Sequence, residues 1–349
     1  MNFSVISIKK TQTSLLTFLC ACNFVYCAEK TAVPQKEYYA VPPPQYPSEE
    51  EGMSIFLDGS YTFWAPYQNG MFLLTTNSTT EKKASWIKTA FPVQSGFKAG
   101  LGFNTFHDGW KLQAEYTWFY NHPSIQPATL QVPNVDYYCP WINQDTLAGS
   151  VSSKFCNTFQ RVDLTMDRTY YLGNYLAVGP WIGILGAWDD QDFYVKIGPI
   201  ADANPPADAD IRIMTQNMSW WCIGPYIGVD SSYYFYDEWA IFCTGGASLN
   251  LALHYTNSLV TDASENNTVI YSNTGAKIPS IEPMFETSLG LRWDSAGQDW
   301  GLRVQIGWEL QAYLDHCTFF QTMDNTFSSL PSYGTYGMQG LTVKIRLNF

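Results

Sequence analysis

The last nine residues of the chain, LTVKIRLNF, alternate apolar and polar side chains with a period of two. Because strand side chains point to opposite faces in turn, the pattern predicts a strand with one apolar face and one polar face. The polar positions include Lys344 and Arg346. An apolar strand that ends in Phe349 is typical of the signal by which outer-membrane barrels are recognised, so we expect the barrel-assembly machinery to be a partner.

The same alternation begins near Ile55 and recurs along the chain, without a convincing helical period. The first run, SIFLDGSYTFW, places Ile55, Leu57, Tyr61 and Phe63 on one face and polar residues on the other. Several runs are about ten residues long, which suits a tilted membrane strand and exceeds the usual five or six. A soluble sandwich also buries an apolar face, so alternation alone does not choose lipid over a protein core.

Short turns join these runs into hairpins. The paired runs are 97–103 with 110–118, 159–167 with 175–188, 220–235 with 239–255, and 285–294 with 300–314. Three return strands begin with a tryptophan directly after an acidic turn, namely Trp110, Trp239 and Trp300. We interpret these as interfacial residues at the short-turn end of a barrel. The alternative is a simple preference of tryptophan for strand ends.

Long connections alternate with the short turns, at 67–93, 120–156, 189–217, 256–280 and 315–337. This asymmetry is expected of outer-membrane barrels, which have short periplasmic turns and long extracellular loops. The fold class is therefore an all-β transmembrane antiparallel barrel over residues 53–349, with about ten strands, or twelve if 120–156 contains another hairpin. Pro180 and Pro225 fall inside predicted strands, so we expect them where the hydrogen-bond ladder is relieved.

Charged residues on the polar faces would project into one lumen. These candidate pore-lining residues are Lys98, Lys111, Glu115, Asp163, Asp167, Glu286, Arg292, Arg303, Glu309, Lys344 and Arg346. Opposed charges across a water-filled passage would select solutes by size and charge. The alternative is that these side chains pair and fill a narrow interior, because wide aqueous channels belong to barrels of about sixteen strands.

Composition agrees with a membrane barrel. Aromatic residues make up 16% of the chain and charged residues 14%, against roughly 25% charged in an average soluble protein. Two aromatic girdles would explain this imbalance, whereas a carbohydrate-binding β-protein is the alternative.

The first 27 residues have the order of a secretory signal peptide, with Lys9 and Lys10 before an apolar run that is too short to span a bilayer as a helix. The competing interpretation is lipoprotein processing with Cys22 acylated.

Residues 28–52 are rich in proline and in acidic residues, and this composition predicts a periplasmic linker. Cleavage would remove two lysines and no acid and would change the formal charge from −12 to −14. This balance argues against nucleic acid as a partner.

Five of the eight cysteines would remain after cleavage. Cys139 and Cys156 fall in one predicted loop and are the candidate disulfide. An odd number leaves at least one thiol free or linked between chains. The cysteines lack metal-ligand spacing, so we expect no metal and no cofactor.

Catalytic motifs are absent from the sequence. The four histidines, His107, His122, His254 and His316, lie outside hydrolase or metalloprotease motifs, and we expect each to be a surface or interface residue. We therefore expect no enzyme and no catalytic residues. A barrel hydrolase assembled from separate loops remains the alternative.

Four segments carry a family resemblance: FLDGSYTFWAPYQNGM at 56–71, SGFKAGLGFNTFHDGWKLQAEYTWFY at 95–120, GLRWD at 290–294, and the terminal strand. In them the chain resembles the pore-forming major-outer-membrane-protein-like family of Legionella and chlamydia-related bacteria. The resemblance implies an outer-membrane general porin, a surface protein cross-linked through cysteines in many members, and sometimes host contact. It implies no catalytic residues.

These observations predict an outer-membrane porin of a Gram-negative bacterium for passive diffusion of small hydrophilic solutes and ions. The alternative is a closed-barrel structural protein or adhesin that acts through its extracellular loops. Expected partners are outer-membrane lipid, lipopolysaccharide and small solutes, and a homo-oligomer is left open.

Overall fold

The structure is a computed structural model that describes residues 54–78, 84–88, 91–105, 109–121, 126–129, 135–139, 141–147, 150–172, 175–198, 211–236, 238–262, 268–296, 300–323, 328–332 and 334–349. The predicted signal peptide and linker lie outside the described residues. The described strands are β1 (Ser54–Gln68), β2 (Phe72–Ser78), β3 (Ala84–Lys88), β4 (Gln94–Asn104), β5 (Trp110–Asn121), β6 (Gln126–Thr129), β7 (Val135–Cys139), β8 (Asn143–Leu147), β9 (Ser150–Arg168), β10 (Tyr170–Leu172), β11 (Leu176–Gly198), β12 (Arg212–Tyr236), β13 (Trp239–Asp262), β14 (Thr268–Ala296), β15 (Gly301–Tyr313), β16 (Phe319–Met323), β17 (Ser328–Ser332) and β18 (Tyr336–Asn348).

Ten of these strands close into an antiparallel barrel in the order β1–β4–β5–β9–β11–β12–β13–β14–β15–β18. The predicted number of ten is therefore confirmed, and twelve is not observed among the described residues. The terminal strand β18 pairs with β1, as expected, with Asp58 opposite Arg346. At the end of this seam, the backbone N–H of Phe349 donates to the carbonyl of Ile55 at 2.9 Å. Within the described part of the chain, no helix is long and apolar enough to cross a membrane.

The strands are staggered around the barrel. The stagger can be measured by moving from each residue to the residue paired with it on the next strand. A path that starts at Asn348 on β18 and passes through Phe56 on β1 goes once around the barrel and returns to β18 at Tyr336. The start and the end of this path differ by twelve residues. Ten strands with this stagger form a narrow barrel, because diameter grows with strand number. The interior is therefore wide enough for interdigitating side chains but much narrower than a large porin.

The outer face of the wall is apolar, and aromatic residues mark its two edges. Ile182, Ile184, Ile223 and Ile227 are examples of exposed outward-facing residues between these edges. At the periplasmic edge, the exposed residues include Tyr170, Tyr175, Tyr233, Trp239 and Trp300. At the other edge, Trp188 lies opposite Trp221 across the β11–β12 ladder. Apolar bands flanked by aromatic girdles are typical of barrels in lipid.

The four longest strands extend far beyond the length that a bilayer requires. β11, β12, β13 and β14 contain 23, 25, 24 and 29 residues, whereas a tilted membrane strand needs about 9–11. The predicted loops 189–217 and 256–280 are consequently wrong over most of their length, because strands continue through 189–198, 212–217, 256–262 and 268–280. The outward side chains change from Trp188 to Asp190 and Asp192 where the wall leaves the lipid.

Pro180 and Pro225 lie where the hydrogen-bond ladder is interrupted. Pro180 falls between the β10–β11 pairing, which ends at Val178, and the β9–β11 pairing, which begins at Trp181. Pro225 pairs with Ile184 on one side, but the β12–β13 ladder on its other side has no pairs between Ile223 and Tyr226. Both prolines point outward and are exposed. A residue without an N–H is tolerated there because no ladder bond is lost.

Two further sheets lie at the extracellular end, in the strand orders β3–β2–β7–β8 and β16–β17. The predicted disulfide is not formed, since Cys139 and Cys156 are both free thiols. Cys139 ends β7 and is buried in the core, whereas Cys156 lies at an outward-facing, partly exposed position of β9. The two thiols therefore belong to opposite sides of the barrel wall.

Candidate functional site: the barrel lumen

The periplasmic half of the lumen contains a network of ion pairs. Its best-formed member is Arg346, whose guanidinium donates to both carboxylate oxygens of Asp58 at 2.6 and 2.8 Å. Such bidentate pairs are the strongest charge-assisted hydrogen bonds in proteins. Lys344 lies beside them, with its Nζ 2.8 Å from Glu115 Oε2 and 3.3 Å from Asp58 Oδ2. The closing strands β1 and β18 are thus joined inside the barrel by charge.

Other pairs cross the lumen. Lys98 on β4 contacts Glu309 on β15 at 2.5 Å. Arg161 on β9 contacts its neighbour Asp163 at 2.8 Å and reaches Glu286 on β14 at 2.7 Å. Because several kcal/mol are needed to bury an unpaired ion, each of these charges requires its partner.

The remaining pairs lie closer to the periplasmic end. Arg292 contacts Asp230 at 2.9 Å, Arg303 contacts Asp294 at 2.5 Å, and Lys111 lies 3.5 Å from Asp167.

Two neighbouring cavities occupy the space between these side chains, with volumes of about 230 and 160 Å³. The larger cavity reaches Trp300 and Asn348 at the periplasmic end, and both cavities share Lys98, Glu115 and Lys344. All eleven predicted charged residues line one or both of them: Lys98, Lys111, Glu115, Asp163, Asp167, Glu286, Arg292, Arg303, Glu309, Lys344 and Arg346. Their inward orientation therefore follows the prediction, while their role in a pore stays a prediction.

Sequence analysis missed several members of this network. Asp58, Arg161, Asp230 and Asp294 also face inward and pair there. Asp58 lies in the first run, SIFLDGSYTFW, on its polar face, and Arg161 is two residues from the predicted Asp163. The period of two was thus sufficient to find these residues.

A layer of buried aromatic rings crosses the lumen directly above the charges. The aromatic layer consists of Trp64, Phe119, Phe159, Trp220, Tyr313 and Tyr336, and all six are at most 2% exposed. Phe159 on β9 and Tyr313 on β15 have ring centroids 5.6 Å apart. These two strands lie five positions apart in either direction around the barrel, so they face each other across its full width. Contact between them leaves no open passage along this line.

A buried polar cluster follows the aromatic layer toward the extracellular end. His316 Nε2 lies 3.2 Å from Asp189 Oδ2, and its Nδ1 lies 3.6 Å from Glu282 Oε2. Glu282 also pairs with His254, and all four of these side chains are fully buried. The expectation that each histidine is a surface or interface residue is therefore wrong for His254 and His316, which are buried inside the barrel. His107 and His122 lie outside the described residues.

The cluster does not have the geometry of a catalytic triad. Ser280 Oγ and Glu282 both face Nε2 of His254, with the hydroxyl at 3.2 Å, and Nδ1 of this histidine has no partner. A triad needs the nucleophile and the acid on opposite ring nitrogens. The described residues also contain no group of three or more His, Cys, Asp or Glu side chains arranged to hold a metal ion.

Comparison with protein family models identifies the family of this chain. The family model described as Legionella pneumophila major outer membrane protein precursor matches residues 46–349. The chain belongs to this family. The resemblance seen in the sequence is thereby confirmed, and this member of the major outer membrane protein family is an outer-membrane β-barrel protein. The description of the family names no enzymatic activity.

Several solved barrel structures are similar to this family member at low identity. The outer membrane protease OmpT from Escherichia coli is 10% identical, with 86% of this chain and 99% of that chain covered and a TM-score of 0.46. A major outer membrane protein from Thermus thermophilus is 12% identical, with 86% and 100% covered and a TM-score of 0.29. The Pseudomonas putida toluene transporter TodX is 7% identical, with 85% and 89% covered and a TM-score of 0.31. No curated protein matches the chain.

Proposed function

We propose that this outer-membrane barrel is closed to solutes at rest and serves as a structural protein of the cell surface. The contact between Phe159 and Tyr313 across the full width of the lumen carries this proposal. The extracellular core above it adds support, because Trp141 and Phe319 pack on Phe193 with ring centroids 5.1 and 5.6 Å apart. Function would then reside in the extracellular surface, as a structural element or an adhesin.

Energetics favour a lasting closed state. Fully burying a large apolar side chain contributes about 1.5–3 kcal/mol, so the six rings of the aromatic layer together contribute on the order of 10 kcal/mol. Exposing the whole layer to water would forfeit this free energy, and thermal opening is therefore rare. A polar hydrogen bond adds to the closure, since Asn157 on β9 donates to the hydroxyl of Tyr336 on β18 at 2.6 Å.

Passive diffusion of small hydrophilic solutes and ions is the second candidate function. The two charged cavities favour it, because they extend from the periplasmic end through the ion-pair network and are lined by both signs of charge. Opposed charges of this kind are used for selectivity in channels. Conduction would require the aromatic layer and the core above it to rearrange.

A planar-bilayer recording on the refolded protein separates the two functions. We expect a silent membrane at pH 7, with a porin of known conductance added at the end of each recording as the positive control. Refolding is checked by heat-modifiable gel mobility. Reproducible conductance steps that arise in this lumen would refute the closed barrel.

Two matched variants then test whether any steps arise in this lumen. Ser60 lines the smaller cavity, whereas Gly59 faces outward with open space around it. If the lumen conducts, Ser60→Trp abolishes the steps and Gly59→Trp leaves them unchanged. Steps that survive Ser60→Trp would assign the conductance to a contaminant or a defect in the membrane.

A further inference from the structure

The chain enters the lumen again after β15, in a short segment that we name the strap, residues 314–318. It starts with a tight turn at Asp315, whose φ of 58° is left-handed. Backbone hydrogen bonds tie the strap down on both sides of the turn, from Leu314 N to Pro283 O and from Cys317 N to Gly334 O, each at 2.9 Å. The strap lies inside the wall, since His316, Cys317 and Thr318 are at most 1% exposed.

His316 is the charged contact of the strap. It lies between two carboxylates from different strands, Asp189 on β11 at 3.2 Å and Glu282 on β14 at 3.6 Å. Each carboxylate has further donors, because Asn157 donates to Asp189 and Trp220 donates to Glu282, at 3.1 and 3.0 Å.

The other titratable and polar groups that face the imidazole come from all sides of the lumen. They are Gln191 on β11, His254 on β13, Tyr313 on β15 and Tyr336 on β18. Asp189 and Glu282 are the acidic groups among these contacts. A protonated His316 thus provides the charge that two buried carboxylates need, since unpaired buried carboxylates are strongly destabilising.

We propose that the strap is a charge-held latch, in which protonated His316 keeps residues 314–318 inside the lumen and loss of its charge releases them toward the extracellular side. This inference rests on the proposed closed state. It assigns His316 as the residue that holds the upper half of the lumen shut.

The direction of the pH dependence follows from the surroundings of His316. Burial opposes the charged imidazole, but Asp189 and Glu282 outweigh this effect and raise the pKa of His316 to about 9. In the released strap the pKa would return to about 6.5. The stabilisation of the latch is therefore complete below about pH 6.5, declines as the pH rises, and is lost above about pH 9. The full change in the release equilibrium is on the order of 100-fold.

Cys317 is a natural reporter of release, because it follows His316 and is fully buried. The experiment uses the refolded full-length barrel in lipid vesicles, with every cysteine except Cys317 replaced by alanine, and a membrane-impermeant thiol reagent added outside. Labelling rates are divided by those of the same protein in denaturant, which corrects for thiol ionisation. We expect protection at pH 6.5 and a rise of more than tenfold by pH 9.5. A flat normalised rate over this range would overturn the latch.

Three variants make the test specific. His316→Gln keeps hydrogen-bonding capacity without charge, and we expect Cys317 to be labelled rapidly at every pH. Thr318→Val removes the contact of Thr318 with Thr256 on the wall at 3.2 Å without altering charge, so the pH dependence should remain. A variant that retains only Cys139, which is buried but outside the strap, should stay protected.

Two results would contradict the charge-held strap. Parallel labelling of Cys139 would indicate general unfolding, and an unchanged rate in His316→Gln would remove the role of charge. The closed barrel and the strap can also fail separately. Conductance steps at pH 7 while Cys317 stays protected would refute only the closed barrel, whereas a silent membrane with pH-independent labelling would refute only the strap.

Discussion

The Asp58–Arg346 pair allows a quantitative prediction about the seam of the barrel. Both side chains are buried, at 6% and 8% exposure, and they connect the first and last strands. Removing one member of a buried pair generally costs about 3–5 kcal/mol, because the other charge is left without its partner. Here Lys344 remains 3.3 Å from Asp58, so we expect Arg346→Met to lower the free energy of unfolding by about 2–3 kcal/mol.

The double variant Asp58→Leu with Arg346→Met should recover most of this loss, because apolar replacement of both partners is often nearly neutral. The assay is urea unfolding of the barrel in lipid vesicles, followed by heat-modifiable gel mobility. Lys111→Met is the matched control, because its pair with Asp167 is longer, at 3.5 Å, and more exposed. We expect it to cost less than about 1 kcal/mol. A loss below about 0.5 kcal/mol in Arg346→Met, or additive losses in the double variant, would refute the reasoning.

Three further predictions concern the wall. Gly290→Ala should impair folding, since a Cβ there would lie 2.1 Å from a backbone carbonyl oxygen of the next strand. The control variant Gly59→Ala should fold normally, because the space around Gly59 is open. Heat-modifiable gel mobility measures folding in both variants. In single-cysteine proteins, Cys156 should react with an aqueous thiol reagent and the inward-facing Cys222 should not; equal rates would contradict the assigned faces. Deleting Phe349 should reduce assembly in cells, measured as heat-modifiable protein in the outer membrane, and normal assembly would exclude it as the signal.

The alternation of apolar and polar residues predicted the barrel strands well, because lipid requires an apolar outer face on every strand. Each outward position must be apolar, so the inward charges at Lys98, Glu115 and Arg346 could be assigned by counting in twos. The rule fails where the strands leave the lipid. Beyond Trp188 the outward residues are Asp190 and Asp192, and their polarity led to the prediction of a loop although the ladder continues.

The filled lumen left a weaker signal in the sequence. Neighbouring aromatic residues on one strand must point to opposite faces, so Phe63 faces lipid and Trp64 faces inward. The same holds for Trp118 and Phe119. Such pairs indicate rings inside the barrel, although they do not show which rings meet across it. His316 gave no signal, because its position depends on how a connecting segment folds back into the lumen.

The stagger of twelve residues limits how this protein can evolve. Ten hydrogen-bonded strands in a fixed register set the circumference of the wall, and inserting one residue would turn every following side chain of that strand to the wrong face. Selection can therefore change the inward-facing side chains without altering the backbone of the barrel. Homologues with a different permeability should differ mainly at alternate positions of the barrel strands, while their strand number and backbone diameter stay the same.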